Sequence, residues 1–343
     1  MVIPGVSLIV CTHNGAKLLP DTIKHILKQQ VDQHVKWEFI LIDNGSDDNS
    51  GELVKKLWSI STPCRIIRED KIGLMHARNR GVAEARYEFI SFIDDDNWID
   101  SAWVTTVISV FSEHPETGIC GGEIFEAPEL EPPSWFDGIK MSYAIGKQGD
   151  KTGDVTETRG HIWGAGMSFR KSAYEAIVDA GFSPILNDRQ GKKMLAGGDT
   201  EIAYNFRMAG WKLWFDDRLK LHHFLPKSRL EWSYLLKLYK GFGYSHVIFE
   251  IYHMTLYRNK SGVIPYLFYE QITRLTYFLF WMLKHLFSKT EGKINRLYYQ
   301  MYLSGLIFLI QNVSRVNGYH RQIESVSFGL RKVRERKMPK IVD

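Results

Sequence analysis

The sequence predicts an α/β protein built on a mostly parallel β-sheet with helices on both faces. Two observations carry this expectation. From Val6 to Trp98, short apolar runs alternate with segments whose apolar residues recur at helical spacing. Each apolar run stops at a polar cluster, and open parallel sheets place their ligand sites at strand C-terminal ends.

Val6–Cys11, bounded by Gly5 and by Thr12-His13-Asn14-Gly15, reads as the first strand. A helix of about Pro20 to Gln30 follows, with Ile23, Ile26 and Leu27 on one face. Glu38–Ile42 is a second strand ending at Asp43-Asn44-Gly45-Ser46-Asp47-Asp48. A helix around Leu53, Val54 and Leu57, a strand near Cys64–Ile67 and a helix over His76–Ala85 lead to a fourth strand, Tyr87–Ile93. That strand ends at three adjacent carboxylates, Asp94, Asp95 and Asp96. Trp103, Val107, Ile108 and Phe111 mark the next helix, and Ile119–Gly122 the next strand.

Glu126–Gly153 is rich in Pro, Gly and Asp and reads as a loop. Its Trp135 and Phe136 serve either as a sugar platform or as an anchor to the core. Gly160–Arg170 places small residues before an apolar strand, where glycine permits close backbone approach to a ligand. Gly197-Gly198-Asp199-Thr200-Glu201 opens a helix carrying Ile202, Ala203, Phe206 and Met208, with Glu201 read as facing solvent. Trp211–Asp216 reads as a final strand, followed by Leu219–Phe224 with His222 and His223.

The chain of 343 residues, 44% hydrophobic and 24% charged, is long enough to bury a full core. Its net charge of +5 resides entirely in the stretch from Arg315 onward, where eight basic residues face three acidic ones. The near-neutral remainder excludes a nucleic-acid-binding body. Three cysteines, Cys11, Cys64 and Cys120, lack metal-type spacing and suit a reducing compartment. With Val6 already opening a strand, no signal peptide is expected.

Three adjacent acids repel one another unless a cation neutralises them, and oxygen ligands suit Mg²⁺ or Mn²⁺; taken alone, the run is equally a solvated turn. Asp43 fits either a ribose or base contact or a turn. Arg78 fits either a phosphate contact or an exposed helix arginine. No Gly-x-Gly-x-x-Gly follows the first strand and no Gly-Lys-Ser/Thr occurs, which disfavours a dinucleotide fold and a P-loop.

Four blocks in order, Val-Ser-Leu-Ile-Val-Cys-Thr-His-Asn, Phe-Ile-Leu-Ile-Asp-Asn-Gly-Ser-Asp-Asp, Gly-Leu-Met-His-Ala-Arg-Asn-Arg-Gly and Phe-Ile-Asp-Asp-Asp-Asn, closely resemble the family 2 glycosyltransferases. The resemblance covers about Val6 to Pro226 and implies a GT-A fold. It implies that Cys11, Thr12, His13 and Asp43 hold the nucleotide base, with His13 standing where the family often has tyrosine. It places Arg78 near the donor, Asp94 and Asp95 at the ribose, and Asp96 on a metal bridging the two phosphates. Trp163, Gly164 and Gly166 correspond to a Gly-rich element beside the donor sugar.

Asp199 falls on the position of the base that deprotonates the acceptor, preceded here by Gly198 where the family has Glu. A histidine after the last strand, His223 or alternatively His222, would complete the Mn²⁺ or Mg²⁺ site. The implied enzyme is an inverting transferase of hexosyl type. It would use a nucleotide-diphospho-sugar, UDP-linked first, and a saccharide or lipid-linked acceptor, in surface polysaccharide, O-antigen or glycolipid synthesis. The rival readings are a sugar nucleotidyltransferase, which needs a basic Gly-rich loop that Thr12–Pro20 lacks, and an inactive sugar-nucleotide-binding or membrane scaffold protein.

From Arg229 the composition turns aromatic. Trp232, Tyr234, Leu235, Leu238, Tyr239, Phe242 and Tyr244 mark one helix, Val263–Phe287 and Leu297–Val313 two more. Residues 1–228 are thus expected to form the catalytic domain, 229–320 a helical region and 321–343 a basic tail. Tyr and Trp crowding beside basic residues suggests helices lying on an anionic membrane surface at its cytoplasmic face; the alternatives are a helical cap or dimer contact and, with Leu297–Val313 of borderline length, a true span.

Overall fold

A computed structural model describes residues 5–186, 196–257, 262–285, 288 and 291–337, with side chains as far as residue 331. Its nine strands among the described residues are β1 (Val6–Thr12), β2 (Trp37–Asp43), β3 (Cys64–Arg68), β4 (Phe89–Asp94), β5 (Asn97–Ile99), β6 (Thr117–Pro128), β7 (Gly153–Asp154), β8 (Ser168–Arg170) and β9 (Lys212–Leu225). They form one sheet in the order β3-β2-β1-β4-β8-β6-β9-β5, with β7 on β9. The first four pair in parallel. β8 runs antiparallel to both β4 and β6, so the sheet is mixed beyond its N-terminal half.

The parallel half follows from composition. Leu8, Ile9 and Val10 of β1 and Ile40, Leu41 and Ile42 of β2 are fully buried, as expected of strands covered on both faces. Register does the rest. Thr12 lies opposite Asp43 on one side of β1 and Cys11 opposite Asp94 on the other, so three polar strand ends share one rim of the sheet.

Helices α1 (Leu19–Ile26), α2 (Ser50–Leu57), α3 (Leu74–Glu84), α4 (Trp103–Glu113), α5 (Lys171–Asp179) and α6 (Gly198–Met208) flank the sheet. α1 stops short of the expected Gln30. Gln29 and Gln30 instead tie the chain to the β5–α4 turn through Asp100 and Ser101 carbonyls. The expected break between Trp211–Asp216 and Leu219–Phe224 is a bulge inside the single strand β9. Gly122 makes the bulge feasible, since a Cβ there would lie 1.7 Å from the Leu219 carbonyl oxygen. Trp135 and Phe136 are buried, with Trp135 edge-on to Trp232 at 5.7 Å, so the loop aromatics anchor the core.

The C-terminal region comprises α7 (Trp232–Tyr257), α8 (Val263–Lys284) and α9 (Glu291–Lys337). α7 packs its Val247, Ile248 and Ile251 into the same core as Ile202 and Phe206 of α6. It crosses α9 at Gly243, where a Cβ would come within 2.1 Å of the Met301 carbonyl oxygen. His246 and Glu250 of α7 bond to Gln271 and Tyr266 of α8, while Glu270 pairs with Arg274 within α8. α9 runs unbroken in sequence past residue 320, kinked at Asn312, and buries Ile323, Val326 and Leu330. Residues 338–343 of the expected basic tail and residues 286–287 of the expected second helix lie outside the described residues. Among the described residues, no helix is long and apolar enough to cross a membrane.

Candidate active site

A cleft of about 910 Å³ opens over the rim where β1 and β4 end. Most of the positions predicted from sequence converge on it, while Gly166 packs against Leu221 and Trp103 outside the lining. Cys11, Thr12, His13, Arg78, Asp94, Asp95, Asp96, Trp163, Gly164, Asp199 and His223 all line it. Asp43 flanks the cleft without lining it. Its Oδ1 accepts from the Ser46 amide at 3.0 Å and its Oδ2 lies 3.8 Å from Arg68, so it serves as the turn residue of the next loop. His222, exposed on the opposite face of β9, turns its ring towards Phe125, so of the two neighbouring histidines it is His223 that lines the cleft.

The three acids have three environments. Asp94 is half-buried, with Oδ1 3.8 Å from Nη2 of the buried Arg78. Asp95 accepts from the Thr12 hydroxyl at 2.6 Å, and Gly15 leaves room for that bond because a Cβ would lie 2.0 Å from Thr12 Oγ1. Asp96 is buried and faces the far wall, where Arg229 Nη2 approaches its Oδ2 at 2.8 Å and His223 Nε2 at 3.6 Å. His223 Nδ1 lies 2.9 Å from the Tyr143 carbonyl oxygen. A carbonyl only accepts, so the proton sits on Nδ1 and the Nε2 lone pair faces the cleft.

Asp199 occupies the first turn of α6. The Gly164 amide donates to its Oδ2 at 2.7 Å and the Thr200 amide to its Oδ1 at 2.8 Å. Gly164 is the hinge between the two halves of the site. A Cβ there would sit 3.0 Å from Arg78 Nη2 and 3.3 Å from the Asp199 Cβ. The sequence reading anticipated close approach at this glycine; what approaches is the pair of charged side chains themselves.

Sequence reasoning missed several wall residues. Arg159 stacks on Trp163 at 4.1 Å and burial draws its pKa down to about 10, opposed by the Asp199 charge. His161 is drawn down to about 4 by burial and then by Arg159, so it is neutral at pH 7. Arg229 and Tyr143 complete the wall around Asp96. Glu201 corrects its expected solvent exposure: it is fully buried and accepts from the Ile185 and Leu186 amides and the Tyr252 hydroxyl. Burial pushes the Cys11 thiol up to about 12, which removes it as a thiolate nucleophile.

Mixed parallel sheet, acid-lined rim and helix-borne carboxylate define a GT-A protein, and comparison with solved structures agrees. The structure of Staphylococcus aureus TarS 1–349 in complex with UDP-GlcNAc matches with a TM-score of 0.55 at 15% identity, covering 96% of this chain and 90% of that one. The sequence model of glycosyl transferase family 2 matches residues 7–178, half of the chain, and the chain belongs to that family. Relatives include glycosyltransferase GlyG of Streptococcus pneumoniae, 32% identical over 117 residues, 34% of this chain and 38% of GlyG. Poly-beta-1,6-N-acetyl-D-glucosamine synthase of Staphylococcus aureus is 26% identical over 184 residues, 52% of this chain and 42% of the synthase. The matched segments thus span less than half the length of these curated relatives.

Proposed function

We propose that the chain is an inverting glycosyltransferase that moves a hexose-type sugar from a nucleotide-diphospho-sugar, a UDP-sugar first among donors, to a hydroxyl of a saccharide or lipid-linked acceptor. The observation that carries this reading is the meeting of Asp199 with Arg78 and the acidic strand end across Gly164. Membership of family 2 and the UDP-GlcNAc bound by TarS favour the same donor class. The named synthase among the relatives favours a polysaccharide product.

In this reading the acceptor oxygen attacks the anomeric carbon while Asp199 takes its proton, and the nucleoside diphosphate leaves from the opposite face. The two amides on Asp199 fix the direction of its carboxylate. Arg78 lies where a phosphate oxygen would find a charge-assisted donor. Cys11, Thr12 and His13 are assigned to the base and Trp163 and Gly164 to the sugar, a reading supported by all five lining the cleft. Asp96 and His223 form an oxygen-plus-imidazole pair suited to Mn²⁺, with Mg²⁺ second. When bound, such an ion supplies positive charge against the leaving diphosphate.

We also assign residues 1–228 to catalysis and 229–320 to a helical region, with 321–343 as a basic terminus that α9 enters as far as Lys337. Tyr269, Ile272, Phe280 and Leu283 form an exposed stripe along α8, with Lys284 at its end. Together with the basic terminus this stripe suits an anionic membrane surface, consistent with a peripheral location at its cytoplasmic face.

The test is a thermal-shift panel of UDP-, GDP- and dTDP-sugars with and without Mn²⁺. A ligand bound only by the folded state raises the melting temperature by mass action. A UDP-sugar with Mn²⁺ should give the largest shift; a flat panel would reject the donor class.

A further inference from the structure

We infer that Arg229 is a built-in counter-cation that holds the seat between Asp96 and His223 and must be displaced for a divalent ion to bind there. This rests on the metal-binding part of the function proposed above. The guanidinium engages both atoms of the seat at once, Nη2 with Asp96 Oδ2 at 2.8 Å and Nη1 with His223 Nε2 at 3.0 Å. Arginine has no acceptor, so His223 must present its Nε2 lone pair to it, the same posture a metal requires. Asp96 also takes a bond from the Asn97 side-chain amide at 3.1 Å on its other oxygen. The arginine therefore satisfies the oxygen that points at the histidine.

The placement is specific. Arg229 belongs to a short 3-10 turn, Lys227–Leu230, directly after β9. Its amide donates to the Pro226 carbonyl at 2.8 Å, and its own carbonyl accepts from the Tyr143 hydroxyl at 2.7 Å. Tyr143 thus pins the backbone of Arg229 through its hydroxyl and the tautomer of His223 through its carbonyl. With the backbone fixed, only the side chain is left to move.

A buried carboxylate without a partner is costly, so Asp96 needs a cation in every state of the protein. Arg229 supplies one before the metal arrives. A guanidinium and a divalent ion sharing both ligand atoms would repel strongly at such separation. The displaced side chain has room in the cleft, whose lining includes Tyr234 and Asp94. There the diphosphate of the donor would offer it a new anionic partner.

The experiment measures Mn²⁺ binding to the full chain by calorimetry and by electron paramagnetic resonance of free Mn²⁺, with no sugar nucleotide present. Four proteins are compared: wild type, Arg229→Met, Asp96→Asn and His223→Ala. Arg229→Met should bind Mn²⁺ about tenfold more tightly or better, because no internal cation has to leave a buried pair. Asp96→Asn and His223→Ala should lose the site. Arg229→Met should also melt lower than wild type without Mn²⁺ and be raised more by its addition. If Arg229→Met does not fold, Arg229→Lys replaces it, since one ammonium cannot bridge both atoms as the fork does, and it too should bind Mn²⁺ more tightly than wild type. Equal or weaker Mn²⁺ binding in the arginine variant, with the site lost in the other two, would overturn the competitor while sparing the seat. Unchanged binding in Asp96→Asn and His223→Ala would overturn both.

Discussion

Gly164 donates its amide to the Asp199 carboxylate at 2.7 Å while its missing side chain leaves Arg78 and Asp199 room to approach each other. The two charged groups come from helices α3 and α6, far apart in sequence. Gly164→Ala places a methyl 3.0 Å from Arg78 Nη2. Arg78 or the α6 terminus must then shift by a few tenths of an ångström. Transfer should fall by about 10- to 100-fold, because small misplacements of positioning groups are expensive, with the melting temperature nearly unchanged. Steady-state kinetics beside a thermal melt read both.

Glu201 is a structural carboxylate, and its loss should be felt in stability. Its oxygens accept from two backbone amides and a buried tyrosine hydroxyl. Glu201→Ala strands those donors, at about 1–3 kcal/mol for each buried group left unpaired, so destabilisation of about 3 kcal/mol or more is expected. Denaturant unfolding measures it.

The acid side of the stability curve carries a signature of His161. Its folded pKa is lowered from 6.5 to about 4 by burial and by Arg159. Between those values the unfolded chain binds the proton and the folded chain does not, so stability falls as pH drops from 6.5 to 4. His161→Gln removes that contribution and should make the acid limb shallower in thermal melts across this range. His25 and His246 are lowered in the same direction by burial, so some slope remains.

The exposed stripe on α8 predicts lipid binding. Co-sedimentation with vesicles rich in phosphatidylserine should retain the wild-type chain at low salt and release it at high salt. Replacing Phe280 and Leu283 by Ser should abolish retention. A wild-type chain that stays in solution, or that forms a dimer broken by the same substitutions, would assign the stripe to a protein contact instead.

The sheet and most of the candidate site were legible because the parallel strands are mostly apolar and stop sharply at Thr12, Asp43 and Asp94. Period and punctuation are local signals, and parallel register then aligns the strand ends automatically. Asp199 and Gly164 were readable through the resemblance to a family motif. Arg229 was not, because it lies in an aromatic segment whose composition announces a helix. Only the 3-10 turn after β9 folds it back onto Asp96. Glu201 misled for a related reason: a glutamate in the first turn of a helix is usually solvated, and nothing local reveals that residues 185 and 186 cover it. Arg159 and His161 sit in a loop without periodicity, so their burial is a tertiary fact.

In the function proposed above Asp199 is the base of a sugar-nucleotide transfer site, and Asp199→Asn isolates that role. The amide oxygen of Asn still accepts one backbone amide, so the fold and the cleft should persist. UDP-sugar and Mn²⁺ should raise the melting temperature of the variant as they do the wild type. UDP release in the presence of saccharide acceptors should fall by about 10²–10⁴-fold, the range expected when a positioned base is removed. Wild-type turnover by Asp199→Asn would contradict the account.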